Sequence, residues 1–202
     1  MNIWLITIGE PIPHPKNKLR LHRTGILAKQ ISTCKNHTVT WWTSTFNHFT
    51  KKHICNEDSI LNVNDKLKMF ALYGGGYKRN ISISRIRDHK RIAKKFIKLA
   101  QLETKPDIIV ASFPTLGLCD AAIKYGKKEN IPVIIDYRDM WPEEFLFLLP
   151  KKLRFFGRIA LSRLFLKTRN VFKKADGLIG ITEEFLGLGL KKMGRKKHKM
   201  DA

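Results

Sequence analysis

Residues 136–143, Asp136-Tyr-Arg-Asp-Met-Trp-Pro-Glu143, bring three carboxylates and one guanidinium to the exit of the apolar run Ile131-Pro-Val-Ile-Ile135. In an open α/β sheet, ligands bind in the crevice beyond the carboxyl ends of the strands. A strand that stops in Asp-x-Arg-Asp therefore puts groups able to exchange protons or hold charge where chemistry takes place. The same residue types also suit a structural ion pair, Arg138 with Asp136 or Asp139, and residue types alone leave both readings open. On an unbroken strand, alternation puts Asp136 on the side of Arg138 and Asp139 on the other, so the two acids converge only if the chain turns after Asp136.

Other residues with chemical potential give weaker patterns. The seven histidines, His14, His22, His37, His48, His53, His89 and His198, show no H-x-x-x-H or H-E-x-x-H spacing on a predicted helix, which predicts surface or loop positions and no metal site. Gly74-Gly-Gly76 would cradle phosphate only if it joined a strand directly to a helix. Six residues, Tyr77 to Ser82, intervene, so a turn is expected. Cys34, Cys55 and Cys119 are widely spaced, with neither a C-x-x-C pair nor an even count, which fits a reducing cytoplasm.

The elements that must position these groups follow a β-α-β alternation. Asn2 to Ile8 reads as a first strand, and the prolines of Gly9-Glu-Pro-Ile-Pro-His-Pro15 hold an extended loop. A helix is expected from about Asn17 to Ser32, and Val39-Thr-Trp-Trp-Thr43 supplies a second strand. From Phe46 to Asn80 the pattern is poor, and an irregular excursion with one short strand is expected. Ile83, Ile86, Ala93, Ile97 and Ala100 then mark one face of a helix over Ser82 to Leu102. Asp107 to Ser112 and Ile131 to Asp136 read as buried strands around a helix from Thr115 to Lys128. After Phe145-Leu-Phe-Leu-Leu149 comes a basic helix to about Lys174. Asp176 to Ile181 is a last strand, and Thr182 caps a final helix. The stretch Lys191 to Lys199 is expected to fray.

At 202 residues, one sizeable α/β domain is the natural size, covering 1–190, with 191–202 as a basic tail. Lys and Arg number 39 against 17 acids, and the formal charge of +22 attracts nucleic acid, anionic membrane or phosphorylated ligands without choosing among them. No apolar run reaches about 18 residues, the length a spanning helix needs, and the opening lacks a basic leader and cleavage site.

Several segments taken in order carry a resemblance. They are Ile3-Trp-Leu-Ile-Thr-Ile-Gly-Glu-Pro11, Arg20-Leu-His-Arg-Thr-Gly25, Thr40-Trp-Trp-Thr-Ser-Thr-Phe46 and Tyr77-Lys-Arg-Asn-Ile-Ser82 with Arg85. Ser112-Phe-Pro-Thr115, Asp136-Tyr-Arg-Asp-Met-Trp-Pro142 and Ala175-Asp-Gly-Leu-Ile-Gly-Ile-Thr-Glu183 complete the set. Together they resemble the amino-terminal half of family 4, GT-B type glycosyltransferases of bacterial surface polysaccharide biosynthesis. The resemblance implies a Rossmann-like, mostly parallel sheet flanked by helices that forms the acceptor side of a cleft. It also implies a second, donor-binding lobe that these 202 residues do not include, so that activity from this chain alone is not expected. No cofactor or metal is implied. The expected co-substrate is a nucleotide-sugar, and the expected acceptor is a lipid-linked sugar or glycan.

The same resemblance assigns residues. Asp139 comes first, and Asp136 second, as the carboxylate that accepts the proton of an acceptor hydroxyl or hydrogen-bonds a sugar, with Arg138 beside them. Arg20 and Arg23 are candidates for the donor phosphates at the start of the first helix, although Pro13-His-Pro-Lys-Asn17 stands where many members carry a glycine pair. A solvated basic face is the competing role for these arginines. Asn80 and Arg85 either meet an acceptor or serve as a helix cap and a surface arginine. Between Lys151 and Lys174 there are nine Lys or Arg and no acid, interleaved with Leu and Phe. That pattern suits either an anionic membrane face or a helix packed on the sheet. A cytoplasmic enzyme, peripheral on the inner face of the plasma membrane, follows from this reading. A non-catalytic membrane- or partner-binding remnant is the alternative, and a nucleic-acid binder ranks last because no zinc-finger, helix-turn-helix or RNP-type signature is present.

Overall fold

The computed structural model describes residues 1–13 and 20–202. Five parallel strand pairings and one antiparallel pairing build a seven-stranded sheet. Its strands are β1 (Asn2–Ile6), β2 (Thr38–Ser44), β5 (Ser59–Asn64), β6 (Leu67–Leu72), β7 (Ile108–Phe113), β8 (Val133–Tyr137) and β9 (Gly177–Gly180). The order across the sheet is β5-β6-β2-β1-β7-β8-β9, with only β5 antiparallel to its neighbour. The strands before β7 lie on one side of β1, with β2 next to it and β6 between β2 and the edge strand β5, and from β7 onward successive strands step outward on the other. This creates a topological switch between β1 and β7.

Strand alternation sorts the core into two layers. Trp4, Ile6, Trp42, Phe70 and Leu72 face the layer formed with α2 (Ile83–Ala100), α3 (Leu116–Glu129), α6 (Ser162–Lys174) and α7 (Glu183–Met193). Leu5, Trp41, Met69 and Ala71 face the opposite layer with Ala28 of α1 (Arg23–Thr33). In the larger layer Trp4 stacks on Tyr125 at 5.2 Å and meets Trp42 edge-on at 5.0 Å. Pairs of this kind stabilise by about 0.5–1.5 kcal/mol beyond their buried area. Helix α3 ends at Asn130 in the left-handed conformation, with its cap amide bonded to Gly126, and Lys127 and Lys128 face the negative helix end. That stop aims the chain directly into β8.

Four expectations are corrected. The segment from Phe46 to Asn80 holds two hairpins rather than one short strand: β3 (Phe46–Asn47) with β4 (Lys52–His53), and β5 with β6. Strand β6 is buried and parallel to β2, but Lys66, Lys68 and Asn64 mask its apolar run in the sequence. Helix α1 starts at Arg23, with His22 as its N-cap, so Arg20 lies ahead of the helix.

The basic helix after Pro142 is broken into α4 (Glu143–Phe147), a short 3-10 turn (Lys151–Leu153), α5 (Arg154–Ala160) and α6. Pro150 stops the first piece, and Leu161, at φ −94° and ψ 8°, separates α5 from α6. The carboxyl segment is docked instead of frayed. Lys191 to Met193 finish α7, and Asp201 is buried, pairing with Arg195 and bridging in parallel to Leu178 of β9. Among the described residues, no helix is long and apolar enough to cross a membrane.

Candidate functional site

At the switch between β1 and β7, a cavity of about 270 Å³ opens on the carboxyl rim of the sheet. Thr7 to Glu10 reach it from the end of β1, Ser44 from the end of β2 and Phe46 just beyond it, Ser112 to Thr115 from the end of β7, and Arg138 and Asp139 from just after β8. Tyr77, Arg85, Asp88 and His89 close the wall formed by the loop after β6 and the start of α2. The rim is where an open α/β sheet binds its ligands, because the crevice there is lined by loops that need not preserve the sheet.

Beneath the cavity lies a fixed ionic lattice. Asp136, 3% exposed, accepts from Arg138 Nε at 2.7 Å, and Arg23 Nη2 lies 3.3 Å from its other oxygen. Arg138 also pairs with Glu10 and donates to Thr24 Oγ1 at 2.8 Å. Glu10 in turn accepts from the Thr24 amide at 3.0 Å and from the Thr24 hydroxyl at 2.9 Å, while Thr7 Oγ1 and Ser112 Oγ share a hydrogen bond of 2.6 Å. Two carboxylates and two guanidinium groups thus offset one another's charge and clamp β1, α1 and β8 together, although Asp136 Oδ1 has only the ion pair with Arg23 and no hydrogen bond among the described residues. At the start of α1, where a donor phosphate was expected, the Thr24 amide is met by the Glu10 carboxylate. Residues 14–17 of the loop quoted for that role lie outside the described residues.

Asp139 is placed differently. It follows the end of β8, is exposed, and lines the cavity. Its carboxylate makes no hydrogen bond or ion pair with the described residues. Burial by the cavity walls raises its pKa above the ordinary carboxylate range, against the opposing pull of Arg138 and Arg85. The chain does turn after Tyr137, but the turn separates the two acids: Asp139 faces the cavity, and Asp136 stays in the lattice below. Arg85 lines the cavity, donates to the Asn80 carbonyl at 2.9 Å and covers the Tyr77 ring at 5.5 Å. Asn80 lies outside the lining and accepts from Lys51 Nζ at 2.5 Å. The cap of α2 is Ser82, which accepts from the Arg85 amide. Arg20 is exposed and Arg23 faces Asp136, so neither lines the cavity.

Residues that sequence reasoning passed over complete the wall. His48 Nδ1 lies 2.7 Å from the Tyr77 hydroxyl, and His89 stands beside the same ring. Burial, then Arg85 and His48, lower His89 to about 4, and burial with Lys51 and Arg85 also lowers His48. Both imidazoles are therefore neutral near pH 7. His48 stands in the turn after Asn47, as expected of a loop histidine, whereas His89 departs from that expectation by lining the cavity from α2; the fold alone brings the two together. Asp88, 2% exposed, accepts from the Gly76 amide at 2.8 Å, and a side chain at Gly74 would meet its carboxylate at 2.2 Å. The glycine triplet thus serves as a close-fitting seat for Asp88. Behind the wall, burial pushes the Cys119 thiol up to about 12, which removes it as a nucleophile. Among the described residues, no group of three or more His, Cys, Asp or Glu is placed to hold a metal ion.

Strand order, flanking helices and a rim cavity at the switch point define a Rossmann-like α/β lobe, the architecture of one half of a GT-B glycosyltransferase. No family model matches the chain, and no curated protein matches it. Among solved structures it is similar to a sucrose-phosphate synthase from Thermosynechococcus elongatus, with a TM-score of 0.53 and 10% identity over 100% of this chain and 87% of that one. At that identity the likeness is one of fold.

Proposed function

We propose that this lobe is the acceptor side of a nucleotide-sugar-dependent glycosyltransferase of the family 4 type, acting on a lipid-linked or polysaccharide acceptor in bacterial surface polysaccharide synthesis. A second lobe, carried by a longer chain or a separate subunit, would hold the donor. The observation that carries this reading is Asp139: a carboxylate without a partner among the described residues, raised in pKa, on the rim of the switch-point cavity. An acceptor hydroxyl bound there would hydrogen-bond Asp139. As its oxygen bonds to the sugar's anomeric carbon, the carbon–phosphate-oxygen bond breaks, the electron pair leaves with the nucleoside diphosphate, and the proton passes to Asp139. Arg85 and the neutral His48 and His89 would orient the acceptor. A volume of about 270 Å³ is below the roughly 300–1,000 Å³ of a whole ligand site, which supports a cleft completed by another lobe.

The test joins or co-expresses a donor-binding lobe and follows sugar transfer to a lipid acceptor. Asp139→Asn should lower turnover by roughly 100-fold or more with the fold intact. Asp136→Asn should chiefly lower stability, by about 3 kcal/mol, because it leaves Arg138 and Arg23 short of a buried partner. Unchanged turnover in Asp139→Asn removes the catalytic assignment. Absence of transfer with any donor lobe, alongside retained partner binding, favours a non-catalytic role.

A further inference from the structure

Away from the rim, a second cavity of about 430 Å³ opens between α4, α5, α6 and α7. Its wall carries Arg158, Arg169 and Lys192 against a single acid, Glu143, whose Oε1 is paired with Lys192 and whose Oε2 has no hydrogen-bond partner among the described residues. Arg169 is exposed, and Arg158 lies over the Phe165 ring at 5.4 Å. Neither guanidinium bonds to a described residue, so both keep donors for another anion. Thr168 also lines the cavity. It is 2% exposed, and its Oγ1 has no hydrogen-bond partner among the described residues. A buried hydroxyl in that state calls for a ligand atom or an ordered water.

Arg158 belongs equally to a second feature, the surface of α4 and α5. Helix α5 buries no side chain, and its main packing is against α4, the 3-10 turn and α6. The two sequence-level readings of this basic segment thus divide between its parts: Val171 and Phe172 of α6 are in the core, whereas α5 lies outside it. Leu148, Phe155 and Phe156 are 78%, 68% and 65% exposed. No acid occurs from Phe145 through Ala175. Large aromatic side chains clustered in water mark an interaction surface, and an unbroken border of cations selects an anionic partner. An acyl-chain and headgroup boundary offers both at once, since apolar side chains enter it while cations meet lipid phosphates.

We propose that the cavity lined by Arg158, Arg169 and Thr168 is a headgroup site for an anionic phospholipid, and that Phe155 and Phe156 insert beside it to dock the chain on a negatively charged bilayer. The proposal does not depend on sugar transfer. It is tested by floating the purified chain with vesicles of phosphatidylcholine alone or mixed with phosphatidylglycerol. Flotation is expected only with the mixed vesicles. Arg158→Ala/Arg169→Ala should weaken it by roughly 30-fold, and Phe155→Ser/Phe156→Ser should weaken it further. Lys94→Ala/Lys98→Ala removes the same charge from the exposed face of α2 and should have little effect. Circular dichroism establishes that each variant is folded. Equal flotation with neutral vesicles, or an equal loss from the α2 pair, overturns the proposal. It is likewise overturned if glycerol phosphate binds the cavity with no flotation, or if the Phe155/Phe156 variant loses only its association with a donor lobe.

Discussion

Arg138 holds Glu10, Asp136 and Thr24 at once, and this makes its neighbour Asp139 available. A guanidinium committed to three partners below the rim leaves Asp139 only a through-space influence, so burial dominates its titration. Residue types in Asp136-Tyr-Arg-Asp139 were enough to place ionisable groups at a strand exit and, by alternation, Asp136 on the side of Arg138, but they left the partner of Arg138 open between the two acids. They could not place Glu10, Thr24, His48 or His89, because each arrives from a distant strand, loop or helix and none carries a local spacing signal. The two wall histidines give a pH prediction. His89 titrates near 6.5 when unfolded and at about 4 when folded, so between those values the unfolded chain binds more protons. The stability this contributes is complete above pH 6.5 and is lost as pH falls toward 4, by at most about 3 kcal/mol, with His48 acting in the same direction. Urea melts at pH 7 and pH 4.5 should show a smaller acid loss in His89→Gln than in the parent. An identical loss would show that the imidazole is not buried neutral.

At the scale of elements, helix α3 contains two glycines with opposite roles. A Cβ on Gly126 would meet Val133 Cγ2 at 2.4 Å and the Ile131 carbonyl at 2.7 Å, whereas one on Gly117 would meet nothing within 4 Å. Gly126→Ala should therefore destabilise by about 2 kcal/mol through forced movement of the α3–β8 connection, and Gly117→Ala should stabilise by up to about 1 kcal/mol through helix propensity. Thermal melts of the two variants shifting in the same direction would contradict this account. Most elements were legible because their patterns are strong: buried runs for β7 and β8, and a single apolar face for α2. The β5–β6 hairpin was not, since a strand with lysines at alternate edges and an antiparallel partner reads as polar loop. The break between α5 and α6 was hidden for another reason. No glycine or proline marks Leu161, where the chain leaves helical geometry at φ −94° and ψ 8°, so the break carries no local sequence signal.

For the molecule as a whole, the sheet has two unlike edges. Strand β5 closes one, and the other is covered where residues 201–202 run beside β9: the Ala202 amide donates to the Leu178 carbonyl at 3.0 Å, and the Gly180 amide to the Ala202 carbonyl at 2.8 Å. Covering an edge in this way blocks pairing with other chains. The cover is locked by Arg195 on Asp201. Burial would raise that carboxyl, but the guanidinium and the His198 amide outweigh it and hold it at about 2. Arg195→Ala should cost about 3 kcal/mol by stranding a buried charge, and amide exchange should then quicken in β9 before the central strands. Uniform exchange across the sheet would show that the cover contributes nothing.

The direction of that covering segment matters beyond stability. Because residues 201–202 run parallel to β9, this segment reaches Gly180 at the carboxyl end of the sheet, the same end at which Asp139 follows β8. The residues that shield the outer strand therefore stand at the crevice end of the sheet, so loosening them would unsettle the strand beside β8 where it meets that crevice.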